Sequence, residues 1–405
     1  MRRMGVATQA SGERSPRTGE EETASSPAPE RDREPVRYFF PGPTYVRRDT
    51  LEAMVRPMIS HRSPEFQKVY ASVSESLRTI FQTKRPVYTA TGSSTLLMES
   101  AVVSTARDRV LSLCAGAFSE RWFMICRNLA KTVDRIQVPW GEPVDPELVR
   151  QALRRAQERS PYEAVTVVHN ETSTGVLQPL EEIVRVVREE SDALILVDAV
   201  SSLGGAPVDP EGWDLDLVLA GSQKALSLPP GLVFFTMSER LEKRAYDKMP
   251  RGWYTDLLRY RDVHREKAGT ITTPNIPVFY AAEHQLQRVV DEGMEARFER
   301  HRRMAALTAE WAKRRGVTFA SEAGFRSPTV SCLRPPEGVD PQALLAALAA
   351  KGYTVGGGYG RWKDSTFRIG HMGEVFEDDL ERLFPVIDET LEELTTTAGS
   401  GTPTS

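Results

Sequence analysis

The chain has 405 residues, 40% apolar and 27% charged, which is more than one ordinary core holds, so two domains plus a tail are expected. With 52 basic and 56 acidic side chains the net charge is −4, which provides no field to gather a polyanion, and nucleic acid is not implied. Cys114, Cys126 and Cys332 are odd in number and show neither CxxC nor metal-ligand spacing, which argues against a disulfide framework and fits a reducing, cytoplasmic compartment.

Residues 1–34 mix Ser, Thr, Pro, Arg and Glu with almost no large apolar side chains, so they are expected to form a disordered tail. Arg2 and Arg3 are not followed by the apolar stretch of a signal peptide. No later apolar run approaches the roughly 18 residues that cross a bilayer, so no membrane is expected. A short segment, 35–47, precedes the first long α/β stretch.

The run Pro86 to Thr89 is followed by Thr91-Gly92-Ser93-Ser94-Thr95 and a helix expected near Leu96. Ala164 to Val168 reads as a β-branched strand, Leu180, Ile183, Val184 and Val187 recur at helical spacing, and Ala193 to Val197 is a second apolar run. That is a βαβ unit. Further runs at Asp216 to Ala220 and Leu232 to Thr236 are too continuous to leave one face in water, as in a parallel sheet covered by helices on both sides.

A long helical stretch from about Pro277 to Arg315 leads into a smaller α/β set. Thr329 to Leu333 reads as a strand. Asp340 is placed to cap a helix, with Pro341 at its first position and Gly352 past its end. Strands at Tyr353 to Val355 and Phe367 to Ile369 and a helix at Asp378 to Leu394 complete it. The expected division is a large domain over 48–290, a small C-terminal domain over 291–394 joined by 35–47, and a second disordered tail over 395–405.

The chemistry concentrates between Asp198 and Lys224. One apolar strand ends in Asp198 and another runs into Gly221-Ser222-Gln223-Lys224, and ligands in open parallel sheets bind at the carboxyl ends of strands. Taken alone, a carboxylate and a lysine also describe a structural ion pair. The loop Thr91 to Thr95 adds a third element, because its small residues and hydroxyls put backbone N–H groups and a positive helix end where a phosphate would sit. A phosphate cradle, an amine and a buried carboxylate are the requirements of a pyridoxal 5′-phosphate (PLP) site.

Nine collinear strings carry a more specific likeness: PGPT from Pro41, HRSPEF from His61, TGSSTLLMES from Thr91, GAFSER from Gly116, HNETSTGV from His169, LVDAVSS from Leu196, AGSQKAL from Ala220, TTPNIP from Thr272 and FRIGHMG from Phe367. From about Arg37 to Leu394 the chain resembles the class V PLP-dependent aminotransferases, in particular the alanine–glyoxylate and serine–glyoxylate group. The resemblance implies the type I aminotransferase fold, with a mostly parallel sheet in the large domain. It also implies that Lys224 forms the imine with the cofactor and Asp198 partners its ring nitrogen. Val200 would pack on one face of the ring and Phe118 on the other, and Thr172 would bond the ring hydroxyl. Ser93, Ser94, Thr95 and Gln223 would hold the phosphate, Thr273 would reach the cofactor phosphate of a neighbouring subunit, and Arg368, Gly42 and Thr44 would bind substrate. Thr270-Ile271-Thr272 stand where related peroxisomal enzymes carry a tyrosine and histidines, which weakens the carry-over at Thr273. That contact, with the aromatic, basic stretch Trp253 to Arg261, leads to the expectation of a homodimer with active sites at its interface.

The expected activity is a ping-pong transfer of an amino group between a small amino acid, such as alanine or serine, and an oxo acid such as glyoxylate or pyruvate. A phosphoserine aminotransferase with a basic subsite from Arg62, Arg251, Arg361 or Lys363 is an alternative. So is a cysteine desulfurase or β-lyase using Cys332, although that residue reads as a packed strand interior. Phe118 and Val200 also read as ordinary core and Arg368 as a surface ion pair. His61, His169 and His371 read as hydrogen-bonded structure, and with no HExxH-type spacing no metal is expected. Gly356-Gly357-Gly358-Tyr359-Gly360 reads as a mobile loop near the substrate.

Overall fold

The computed structural model describes residues 34–158, 160–246 and 251–399. The tail expected over 1–34 lies outside them except for Glu34. In chain order the strands are β1 (Tyr38–Phe39), β2 (Tyr88–Gly92), β3 (Arg109–Cys114), β4 (Thr132–Gln137), β5 (Ala164–Val168), β6 (Asn170–Glu171), β7 (Val176–Leu177), β8 (Leu194–Asp198), β9 (Leu217–Gly221), β10 (Gly231–Met237), β11 (Thr318–Phe319), β12 (Val330–Arg334), β13 (Thr354–Gly357) and β14 (Phe367–Gly370). One sheet has the order β2-β10-β9-β8-β5-β3-β4, and a second has the order β1-β13-β14-β12-β11.

Successive side chains of a strand point to opposite faces, and here both faces are covered. Val165, Val167, Ile195, Val197 and Val218 pack into one apolar cluster, while Ala164, Leu194, Leu196, Leu217 and Leu219 pack into another. Each buried Val, Leu or Ile contributes roughly 1.5–3 kcal/mol, so these central strands anchor the sheet. Their uniform hydrophobicity in the sequence follows from this.

The expected parallel arrangement holds for the pairs β3–β4, β3–β5, β5–β8 and β8–β9. It fails at β10, which runs antiparallel to both β2 and β9. A continuous apolar run reports burial on two faces and carries no information about direction. The short 222–230 link returns the chain directly, whereas a parallel neighbour would need a crossover of a dozen or more residues.

In the second sheet β1 pairs parallel with β13, Tyr38 opposite Thr354 and Phe39 opposite Val355, which joins the N-terminal segment to the C-terminal part. The long helical stretch is two helices, Ile276–Glu292 and Met294–Arg314, because Gly293 adopts φ +79° between them. The expected 290/291 boundary falls inside the helix Ile276–Glu292. Met294 and Phe298 belong to the larger core, and Met304 and Trp311, farther along the same helix, to the core of the second sheet.

Asp340 caps Pro341–Ala350, its side chain accepting from the backbone N–H of Gln342. The last helix, Glu377–Gly399, passes its expected end at Leu394, so part of the expected 395–405 tail is helical, and 400–405 lie outside the described residues. Thr395 and Thr396 donate their hydroxyls to the Leu391 and Glu392 carbonyls, so the polar side chains of this Thr-rich segment are satisfied within the helix itself. Gly356 and Gly357, expected in a mobile loop, instead end β13, paired with Arg368 and Phe367. Among the described residues no helix is long and apolar enough to cross a membrane.

Trp311 tests the second core. It is 1% exposed, stacks on Phe384 with centroids 4.8 Å apart, and donates its indole N–H to Asp388 at 2.8 Å. Trp311→Ala is expected to cost about 3–5 kcal/mol in chemical denaturation, and Trp311→Phe, which keeps the stack, distinctly less.

Candidate active site

The C-terminal ends of β2, β5, β8 and β9 converge on one edge of the seven-stranded sheet. Asp198 is the last residue of β8, facing Val168 of β5 and Leu219 of β9, and Lys224 follows the end of β9 by three residues. A cavity of about 100 Å³ opens there, lined by Ser93, Ser94, Thr95, Phe118, Thr172, Asp198, Val200, Gln223 and Lys224 among others. Nine of the residues assigned to cofactor from the sequence thus share one cavity.

Lys224 is 7% exposed, and its Nζ donates to the Pro41 carbonyl at 2.5 Å. Burial, with the nearby Arg368 guanidinium adding repulsion, lowers its pKa to about 7, while Asp198 pulls the other way. Asp198 is 5% exposed and is pushed up to about 7 by burial, against the N–H of Val200 that donates to its Oδ1 at 2.8 Å. A cation placed beside this carboxylate would restore its charge. Gly42, at φ +134°, passes so close to Lys224 that a Cβ there would lie 2.4 Å from Nζ. Thr44 donates its backbone N–H to the Gln223 carbonyl at 3.1 Å, tying the N-terminal segment to the lysine loop.

At the end of β2 the helix Ser94–Thr105 begins with no acidic residue in its first turn, and the hydroxyl of Ser93 at its N-cap makes no capping bond. The Ser94 hydroxyl is buried with no partner among the described residues. A Cβ on Gly221 would meet the Ser94 hydroxyl at 2.5 Å and the Gln223 amide at 2.7 Å, so glycine there keeps open the space on which both converge. Free helix N–H groups, an unpartnered hydroxyl and an amide fit a phosphate group. With an amine and a carboxylate farther along the cavity, the residues present fit PLP.

Phe118 lies in the first turn of the helix Ala117–Asn128 and 5.9 Å from Lys224 Nζ, measured to its ring centroid. Its position is set by Glu171, which lies within the HNETSTGV string and for which the sequence alone predicts no role. The fully buried Glu171 carboxylate accepts from the backbone N–H groups of Phe118 and Ser119 and from the hydroxyls of Ser119 and Ser173. It thereby occupies the positive end of that helix. No spacing rule marks it, because β6 and β7 form a two-stranded hairpin too short to leave a pattern.

Arg121, on the same helix, also lines the cavity and was not anticipated. Thr172 bonds the Ser201 hydroxyl at 2.5 Å, and Val200 packs at the edge of an apolar cluster. Arg368 on β14 is 5% exposed and donates to the carbonyls of Gly357 at 2.8 Å and Thr172 at 3.2 Å. It is therefore not the surface ion pair considered from the sequence. Thr273 is exposed and does not line this cavity.

His169 and His371 are buried, bond the hydroxyls of Ser202 and Ser331, and are held down to about 4 by burial. Cys332 is buried, contacts the Ser173 carbonyl at 3.6 Å and has its thiol pushed up to about 11. Among the described residues no group of three or more His, Cys, Asp or Glu could hold a metal ion.

The pattern of the family Aminotransferase class-V matches residues 48–360. An uncharacterised aminotransferase of Methanocaldococcus jannaschii is 36% identical over 88% of this chain and 92% of its own length. A serine–glyoxylate aminotransferase of Methylorubrum extorquens is 32% identical over 84% of this chain and 87% of its own. The crystal structure of an alanine–glyoxylate aminotransferase from Nostoc superposes with a TM-score of 0.83 at 30% identity, covering 88% of this chain and 96% of that one. The match to the family pattern over residues 48–360, on a fold shared with these enzymes, identifies the chain as a member of the class V aminotransferases, which are PLP-dependent enzymes.

Proposed function

We propose that the enzyme transfers the amino group between a small amino acid of the alanine or serine type and an oxo acid such as glyoxylate or pyruvate, in a ping-pong cycle. The observation that carries this reading is Arg368, a guanidinium 5% exposed that forms no ion pair with a carboxylate among the described residues. A buried, unpaired guanidinium beside the lysine amine suits a substrate carboxylate, which it can grip through two parallel hydrogen bonds.

Bound PLP supplies the carbonyl carbon that takes up the amino group and a ring that withdraws electrons from it. Lys224 would anchor the cofactor covalently, and its Nζ, once freed by the substrate amine, would be the base that takes and returns the substrate α-proton. An amine held near neutral pH is suited to both directions of that transfer. Asp198 would partner the ring nitrogen and favour its protonated form. Phe118 and Val200 would flank the ring, Thr172 would bond its hydroxyl, and Ser93, Ser94, Thr95 and Gln223, which line the same cavity, would hold the phosphate. Gly42 and Thr44 complete the substrate side. Thr273, exposed and outside the lining of its own cavity, is assigned to the cofactor phosphate of a second subunit in a cytoplasmic homodimer.

Two features count against the alternatives. A desulfurase needs a mobile, ionisable thiol, and Cys332 is packed inside β12 with its thiol held protonated by burial. Of the four cations considered for a phosphoserine subsite, Arg251 and Arg361 are already paired with Asp256 and Glu120, each at 2.9 Å, which leaves Arg62 and Lys363 for that role.

The amine of Lys224 has a folded pKa of about 7, below the ordinary lysine value, so its nucleophilic form is present above pH 7 and lost as the pH falls through that value. Reductive trapping of the cofactor-free protein with an aldehyde is expected to rise through about pH 7. Removing the neighbouring cation with Arg368→Ala moves that midpoint upward, and Lys224→Ala abolishes both the trapping and the transamination.

Asp198→Asn keeps the shape but removes the charge. Proton transfer in single-turnover measurements is expected to slow by on the order of 10²-fold or more, about 3 kcal/mol of transition-state stabilisation. Arg368→Lys, which loses the bidentate grip in ground and transition states alike, is expected to act largely through KM.

A further inference from the structure

We propose that Tyr359 is the residue that limits the amino donor to small side chains, by walling off the space beside Arg368. The proposal rests on the assignment of Arg368 as the carboxylate fork. Although 38% exposed, Tyr359 is held from three directions. Its ring stacks on Phe118 with centroids 5.4 Å apart and planes 18° from parallel. The guanidinium of Arg368 lies 5.6 Å from its centroid, and its hydroxyl accepts from Arg121 Nη2 at 3.3 Å. All three partners belong to the site just described.

The backbone around this ring has little room to retreat. Gly358 donates its N–H to the Thr366 carbonyl at 2.9 Å, and a Cβ on it would meet the Trp362 carbonyl at 2.0 Å. Gly360, at φ +55°, runs against Trp140 so closely that a Cβ would lie 2.6 Å from the indole. Arg361, in the 3₁₀ turn that follows, is tied to Glu120 at 2.9 Å, on the same helix as Arg121. The turn is thus clamped onto the helix that carries Phe118, and the phenol faces the Arg368 guanidinium as a fixed wall.

A donor whose carboxylate pairs with Arg368 must place its Cα and side chain next to that wall. A methyl or hydroxymethyl group extends too little to meet the ring, while a branched or longer side chain has to displace it. An oxo acid with no side chain, or only a methyl, passes by the same criterion. Steric exclusion by a pocket wall discriminates by about one to two orders of magnitude.

The test is kcat/KM of the holoenzyme for alanine and for leucine with glyoxylate as acceptor, in the wild type, Tyr359→Phe and Tyr359→Ala. The alanine-to-leucine ratio is expected to be high in the wild type, to be kept by Tyr359→Phe, and to fall about tenfold or more in Tyr359→Ala. A Tyr359→Ala enzyme that loses activity on both donors by one common factor has merely a damaged loop, and that result overturns the proposal, as does a ratio lost already in Tyr359→Phe. A wild type active on alanine with a low ratio overturns the proposal alone. A wild type inactive on alanine and serine overturns the proposed donor class with it.

Discussion

The site depends on taking one lysine amine out of water. Transferring a cation into a protein interior costs several kcal/mol unless it is paired or loses its proton, and Lys224 sits between a carboxylate that favours its charge and a guanidinium that opposes it. Burial decides the balance, leaving an amine that ionises near neutrality. The cost falls on the fold, and the surrounding structure over-determines the position: the Pro41 carbonyl receives Nζ, Gly42 leaves it room, and Ser227 donates its N–H to the Lys224 carbonyl at 2.8 Å.

The segment after Lys224 is held by a second buried cation. Arg297, wholly buried on the helix Met294–Arg314, donates to the carbonyls of Gly204 at 2.9 Å and Ala225 at 2.7 Å and forms ion pairs with Glu292 and Glu374. The Glu374 N–H in turn donates to the Ser227 hydroxyl at 2.9 Å. Buried ion pairs of this kind add little net stability, but removing one partner is costly, so they specify one arrangement. Here the arrangement specified is the seating of the lysine loop against the helix that also enters the core of the second sheet.

A fold shared with serine–glyoxylate and alanine–glyoxylate enzymes says little by itself about the substrate, because one scaffold carries many specificities. The cofactor half of the site is built from strand ends of the large sheet. In the proposed assignment the substrate half comes from elsewhere, with Arg368 on β14, Tyr359 on the turn before it, and Pro41 to Thr44 at the N-terminal end. Variation in these peripheral pieces can change the donor while the chemistry at Lys224 stays the same.

Much of this was legible in the residues. Apolar runs located the central strands because burial on both sheet faces leaves no polar positions, and Asp198, Lys224 and the Ser93 to Thr95 loop were found because a strand end is where a parallel sheet presents its ligand groups. The direction of β10 was not legible, since hydrophobicity is blind to strand polarity. Nor was the break at Gly293, where one positive φ divides what helical periodicity joined. Glu171 stayed hidden because a buried carboxylate capping a distant helix leaves no local signal, and Arg121 and Tyr359 because their roles exist only where separate elements meet. The sequence by itself determined the cofactor chemistry, through residue types whose reactivity is intrinsic. Tertiary structure alone decided the pKa of the amine and the shape of the substrate side, because desolvation and steric walls are properties of neighbours brought together across the chain.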